Sequence, residues 1–206
     1  MRFAIPGRLK SCLLGAVLTG VLGALASPAA AGLIVAAGDT TPSFYLSGAS
    51  QPGNQQFFTN LLGDGDTVLH LNTAFSGQSL VNSNLFYDNL PGVSSSIELG
   101  PVTDAVLAGV DLLVVLSPDD LPDQAGLDAV RDFLLADGTL YISGEGESIG
   151  VPTPFGALSN ANANALLAGI GSDLRIVNAS EDFGQQFAEG SQIQADPLTT
   201  GVTRFQ

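Results

Sequence analysis

From residue 33 onward, short apolar runs alternate with amphipathic stretches, and polar turns separate them. Leu33-Ile34-Val35-Ala36-Ala37 is continuous and apolar, ends at Gly38-Asp39, and predicts a buried strand. Asn54 caps a predicted helix through Leu62, with Phe57, Phe58, Leu61 and Leu62 on one face. After the turn Gly63-Asp64-Gly65-Asp66, Thr67-Val68-Leu69-His70-Leu71 predicts a second strand. Residues 72–100 carry no clear period. Ser, Asn and Gly dominate there, which predicts an irregular insertion with a short helix and a weak strand near Ser95–Leu99.

The pattern sharpens beyond residue 100. Pro101 opens a helix expected to reach Gly109. Val110–Leu116 is a continuous apolar strand of the kind buried on both faces of a parallel sheet. Pro122 starts an amphipathic helix with Leu127, Val130, Phe133 and Leu134 inward, and Asp137-Gly138 closes it. Thr139–Ser143 is the next strand and Gly144-Glu145-Gly146-Glu147 its turn. A helix is expected over Ala157–Gly169, a late strand over Asp173–Val177, and loops over 178–206. Strands and helices alternate over short connections. The expected architecture is therefore α/β with three layers, a mostly parallel open sheet with helices on both faces.

The first 31 residues have a different pattern. Arg2, Arg8 and Lys10 precede the apolar run Cys12–Ala26, and Ala24-Leu25-Ala26 and Ala29-Ala30-Ala31 suit a signal peptidase. The run is short for a membrane span, which needs about 20 residues. The expectation is a cleaved signal peptide over 1–31, a single domain over 32–206, and a secreted or periplasmic product with no membrane insertion after cleavage. Charge then changes the picture. Without residues 1–31, three arginines and no lysine face twenty carboxylates, a net charge of −17. Nucleic acid and anionic membranes are not the expected partners, because both need Lys and Arg against phosphate. Cations remain, and so do carbohydrates. Cys12 is the only cysteine, so no disulfide staples the domain and its stability must come from the core.

The segment Gly109–Leu116, the helix over 122–137 and Asp137-Gly138-Thr139-Leu140-Tyr141-Ile142-Ser143-Gly144-Glu145 resemble the class I glutamine amidotransferase-like superfamily, in its exported, non-amidotransferase branches. Asp196-Pro197-Leu198-Thr199-Thr200-Gly201-Val202 is similar to a stretch common in that group, with Asp196 in place of a histidine. The resemblance implies a flavodoxin-like sheet and a chain that continues past Gln206. It does not carry amidotransferase chemistry. Those enzymes place a cysteine at the turn after a central strand, and here the matching turn holds Glu145 and the domain has no thiol.

Other chemistries are limited by the same inventory. His70 is the only imidazole, no G-x-S-x-G turn accompanies it, and a structural role is the expectation. Zinc lacks ligands, and phosphate lacks a P-loop lysine. Carboxylates are the abundant functional groups. Asp39, Asp119 and Glu145 each follow a different predicted strand, with Asp120 next to Asp119, so parallel strands would set them at one edge of the sheet. They are the candidate ligands for Ca²⁺, with Asp123 and Glu147 beside them. Two functions compete: a non-catalytic binding or surface-associated domain, and a secreted hydrolase that works on carbohydrate through paired carboxylates.

Overall fold

The computed structural model describes residues 32–46, 52–71, 73, 76–145, 154–177 and 188–205. The expected signal peptide and Glu147 lie outside these residues. Five strands form one sheet: β1 (Leu33–Ala37), β2 (Thr67–Leu71), β3 (Ser94–Glu98), β4 (Leu112–Leu116) and β5 (Thr139–Ser143). Every pairing is parallel and the order is β1-β5-β4-β2-β3. Numbered from β2, the sheet runs second–first–third–fourth. β1 fills the outer place that a fifth strand takes in the flavodoxin-like order.

Strand alternation sends side chains to two cores. Leu113 and Val115 of β4, with Leu140 and Ile142 of β5, pack on one face with Val130 and Phe133 from α5 (Gln124–Leu135) and Leu166 and Leu167 from α6 (Pro154–Gly169). Leu112, Val114 and Leu116 point to the other face. There they meet Phe58 and Leu61 of α2 (Pro52–Leu62) and Leu80 and Tyr87 of α3 (Gly77–Asp88). Helices thus cover both faces, the three-layer α/β arrangement that the alternation predicts. Two single-turn helices, α1 (Thr41–Phe44) and α4 (Asp104–Leu107), complete the layers. Among the described residues no helix is long and apolar enough to cross a membrane.

Several sequence expectations need correction. Residues 72–100 are not an irregular insertion, since α3 runs for 12 residues and β3 pairs with β2 throughout. The sequence conceals this helix because several of its core-facing positions, beside Leu80 and Tyr87, are polar. Ser79, Asn82 and Ser83 are buried, and Asn82 Nδ2 donates to the Phe44 carbonyl at 2.5 Å. The helix expected from Pro101 shrinks to α4, capped by Thr103, whose hydroxyl accepts from the Val106 amide. Residues 173–177 form no strand. The Asn164 amide accepts from the Ile176 N–H at 2.7 Å and donates to its carbonyl at 2.8 Å, so one side chain replaces a neighbouring strand. β1 is an edge strand with Leu33 and Ala36 exposed, rather than fully buried.

The end of the chain is ordered too. β6 (Ala188–Glu189) and β7 (Arg204–Phe205) pair antiparallel. Asn60 of α2 donates to the carbonyls of Leu198 and Thr200, which pins this segment to the domain.

Candidate functional site

Chain direction across the sheet creates the first feature of interest. From β2 the chain passes to β3 on one side, then crosses back to β4 on the other. Strand order reverses between β2 and β4, where open α/β sheets leave a crevice at their carboxyl ends. A cavity of about 290 Å³ occupies that place. Its floor is aliphatic: Leu71 ends β2, Val115 belongs to β4, and Val102 and Leu166 close the back. All four are buried. Leu99, 80% exposed, and Leu121 stand at the mouth.

Carboxylates line the same space. Glu98 ends β3, and Asp119, Asp120 and Asp123 lie between β4 and α5. Three of them are oriented by the backbone. Glu98 accepts from the Gly100 N–H at 2.5 Å and Asp120 from the Leu121 N–H at 2.8 Å. Asp123 caps α5 by accepting from the Gly126 N–H at 2.9 Å. Each bond occupies one oxygen and fixes the plane of the group. Among the described residues no basic and no aromatic side chain lines the cavity.

Asp39 and Glu145 lie elsewhere on the same edge, at the corner formed by β1, β4 and β5. Glu145 Oε2 accepts from Ser117 Oγ at 2.8 Å and from Thr40 Oγ1 at 3.0 Å. Burial makes its carboxyl a weaker acid than usual. The Ser117 hydrogen bond works against that shift, the nearby Asp39 charge adds to it, and the Thr40 hydrogen bond opposes it. Asp39 itself accepts from the backbone N–H and the hydroxyl of Thr41, both at 2.6 Å. Asn160 of α6 clamps the Glu145 backbone: it accepts from the Glu145 N–H at 3.0 Å and donates to the Glu145 carbonyl at 3.1 Å. A Cβ at Gly144 would collide with that amide, so glycine is required before Glu145.

Ser117 has φ of +43°, a left-handed conformation that is strained for serine. Its N–H donates to the Ser143 carbonyl at 3.0 Å, which ties β4 to β5 beyond the ladder. The residue at this edge with strained backbone is thus Ser117, which ends the central strand. The Ser117 hydroxyl is fully buried and donates to Glu145, so it presents no nucleophile to solvent. Ser143, also fully buried, has a hydroxyl without a hydrogen-bond partner among the described residues.

The four candidate calcium ligands therefore divide. Asp39 and Glu145 share the closed corner, while Asp119 and Asp120 face the crevice. Among the described residues no group of three or more His, Asp or Glu side chains is placed to hold a metal ion. Sequence reasoning missed Thr40, Ser117 and Asn160.

His70 sits inside the fold, wholly buried. Its Nε2 lies 2.9 Å from Ser83 Oγ, and its Nδ1 lies 3.5 Å from Ser95 Oγ. Burial lowers its pKa to about 4, against a smaller opposing effect of a backbone hydrogen bond at Ser96. Hydroxyls rather than a carboxylate orient the ring, which is the geometry of a satisfied core histidine. No family model, curated protein or solved structure matches the chain.

Proposed function

We propose that the chain is an exported, non-catalytic binding domain that receives a small ligand in the crevice at the carboxyl ends of β2, β3 and β4. The observation that carries this reading is the crevice itself. It combines a buried aliphatic floor with backbone-oriented acceptors at the strand reversal, where α/β sheets take ligands. Export is supported by the leader pattern of residues 1–31 and by the acidic charge of residues 32–206. A place in the amidotransferase-like superfamily rests on the residue resemblance over 109–145 and 196–202, and the strand order is the one that flavodoxin-like sheets share in general. The absence of a thiol beyond Cys12 fits a branch that binds rather than transfers nitrogen.

The hydrolase reading is weaker on a specific point. A glycosidase needs its acid and its base across one cleft. Glu145, the carboxyl that burial makes weakly acidic, does not line the crevice. Nor, among the described residues, does the crevice offer an aromatic face for a sugar. The test is an NMR titration of the ¹⁵N-labelled protein with a panel of amines, amino acids and mono- and oligosaccharides. The expected result is that signals of Leu71, Leu99 and Asp120 shift for at least one class, with no product formed. Product signals would instead identify an enzyme, and shifts clustered away from the crevice would remove the site.

A further inference from the structure

We infer that the crevice selects an organic cation: a primary ammonium group carried on an unbranched or lightly branched alkyl body. This inference rests on the binding reading above and adds the class of ligand. Two halves of the site dictate it.

The inner half is hydrocarbon. Leu71, Val102, Val115 and Leu166 are each more than nine-tenths buried and offer neither donor nor acceptor from their side chains. A ligand that leaves water for this floor must be apolar at its inner end. The volume of about 290 Å³ restricts it to a small molecule.

The outer half is made of acceptors. Glu98, Asp119, Asp120 and Asp123 bring carboxylates to the lining, and among the described residues no Lys, Arg or His lines it. Nor can the domain supply one of its arginines freely. Arg131 bonds Asp128 and the Gly169 carbonyl, Arg204 pairs with Glu189, and Arg175 donates to the carbonyls of Ser172 and Leu174. A cationic ligand would bring charge complementary to these carboxylates. Because local N–H groups already hold Glu98, Asp120 and Asp123 in place, little ordering remains to be done when a cation arrives.

The form of the cation is set by what the lining lacks. A quaternary ammonium is recognised by aromatic faces, and among the described residues the lining has none. A bare divalent ion needs six or more oxygens around one point. Among the described residues no set of three acidic or histidine side chains is placed that way. A primary ammonium has three donors on a compact charge and needs only a few separate acceptors. Leu99 and Leu121 at the mouth would shield the stem of such a ligand.

The probe is n-hexylamine, compared with 1-hexanol and calcium chloride, titrated into the purified ¹⁵N-labelled chain at low ionic strength. Hexylammonium is expected to shift the amides of Val115, Leu99 and Asp120, with 1-hexanol about tenfold weaker at the same signals. The double variant Asp119→Asn, Asp120→Asn is expected to weaken hexylammonium by about tenfold and to leave hexanol unchanged. Its spectrum away from the crevice reports whether the fold is intact. Added salt should weaken hexylammonium alone. Equal binding of amine and alcohol overturns the cation class but keeps the crevice as a binding site. So does calcium displacing hexylammonium there, or a crevice response to another panel member with none to hexylammonium. A crevice silent to the whole panel removes the binding reading together with this one.

Discussion

The two sides of β4 differ sharply, although they share one edge of one sheet. Toward β2 and β3 the edge opens into a crevice whose carboxylates face solvent and are held by local backbone N–H groups. Toward β5 and β1 it closes into a corner where one carboxyl is sunk among hydroxyls and locked by an amide from α6. In sequence both sides look alike, since each has acids directly after an apolar strand. Covering elements make the difference. α6 and β1 lie over the corner, while strand order reverses beside β2 and leaves the crevice unfilled. A carboxylate in water is an available acceptor, whereas the same group under a helix becomes a weak acid and part of the packing.

Breaking the corner should have the largest effect. Gly144→Ala drives a methyl into the Asn160 amide and against Ile176, and is expected to cost about 3 kcal/mol in denaturant unfolding. A loss below about 1 kcal/mol would mean that the clamp on Glu145 is loose.

The pH dependence of stability separates a buried group, His70, from a half-buried one of opposite sign, Glu145. The folded pKa of His70 is depressed to about 4. Its contribution is therefore present above the usual value near 6.5 and is lost as pH falls toward 4, a change on the order of 3 kcal/mol. The folded pKa of Glu145 is raised, so its contribution is present below the usual carboxyl value and is lost as pH rises through the raised one. Glu145→Gln keeps an oxygen for Ser117 and Thr40 without the charge. Thermal unfolding between pH 4 and 8 should show this variant at least as stable as wild type at pH 8, with a steeper net rise of stability with pH. A variant destabilised at pH 8 would show that the ionised carboxylate is needed there.

Ser143→Ala tests the corner more finely. Its hydroxyl is buried without a partner among the described residues, so removal should leave stability unchanged or raise it by about 1 kcal/mol. A clear loss would place a bonding partner at that oxygen. The smallest effect is expected in the crevice. Asp120→Asn preserves an acceptor for the Leu121 N–H and should change stability by less than about 0.5 kcal/mol. A larger change would erase the contrast between the two sides.

Elements with a strong period are legible in the residues alone. Thr67–Leu71 and Thr139–Ser143 are strands over the predicted residues, and Phe133 and Leu134 of α5 face the core as the helical spacing requires. α3 is not legible, because Ser79, Asn82 and Ser83 fill core positions and find their partners only in three dimensions: Ser83 at His70, Asn82 at the Phe44 carbonyl. The late strand over 173–177 fails for a related reason, since Asn164 satisfies Ile176 in place of a ladder. The site is half legible. Acids at the strand ends can be named, but not their partition between crevice and corner, nor the strained Ser117 between them.

By itself, then, the sequence determined the layer architecture, because apolar periodicity leaves each strand and helix one stable way to hide its surface. It also determined the chemical inventory, because a domain without a thiol, without lysine and with a single imidazole can use little besides carboxylates, hydroxyls and amides. Only the tertiary structure decided what each of those groups became. Strand order and the placement of α6 set how much water reaches Asp120 and how little reaches Glu145. Solvation depends on neighbours distant in the chain, and it leaves one carboxylate exposed to water and makes the other a half-buried, weaker acid.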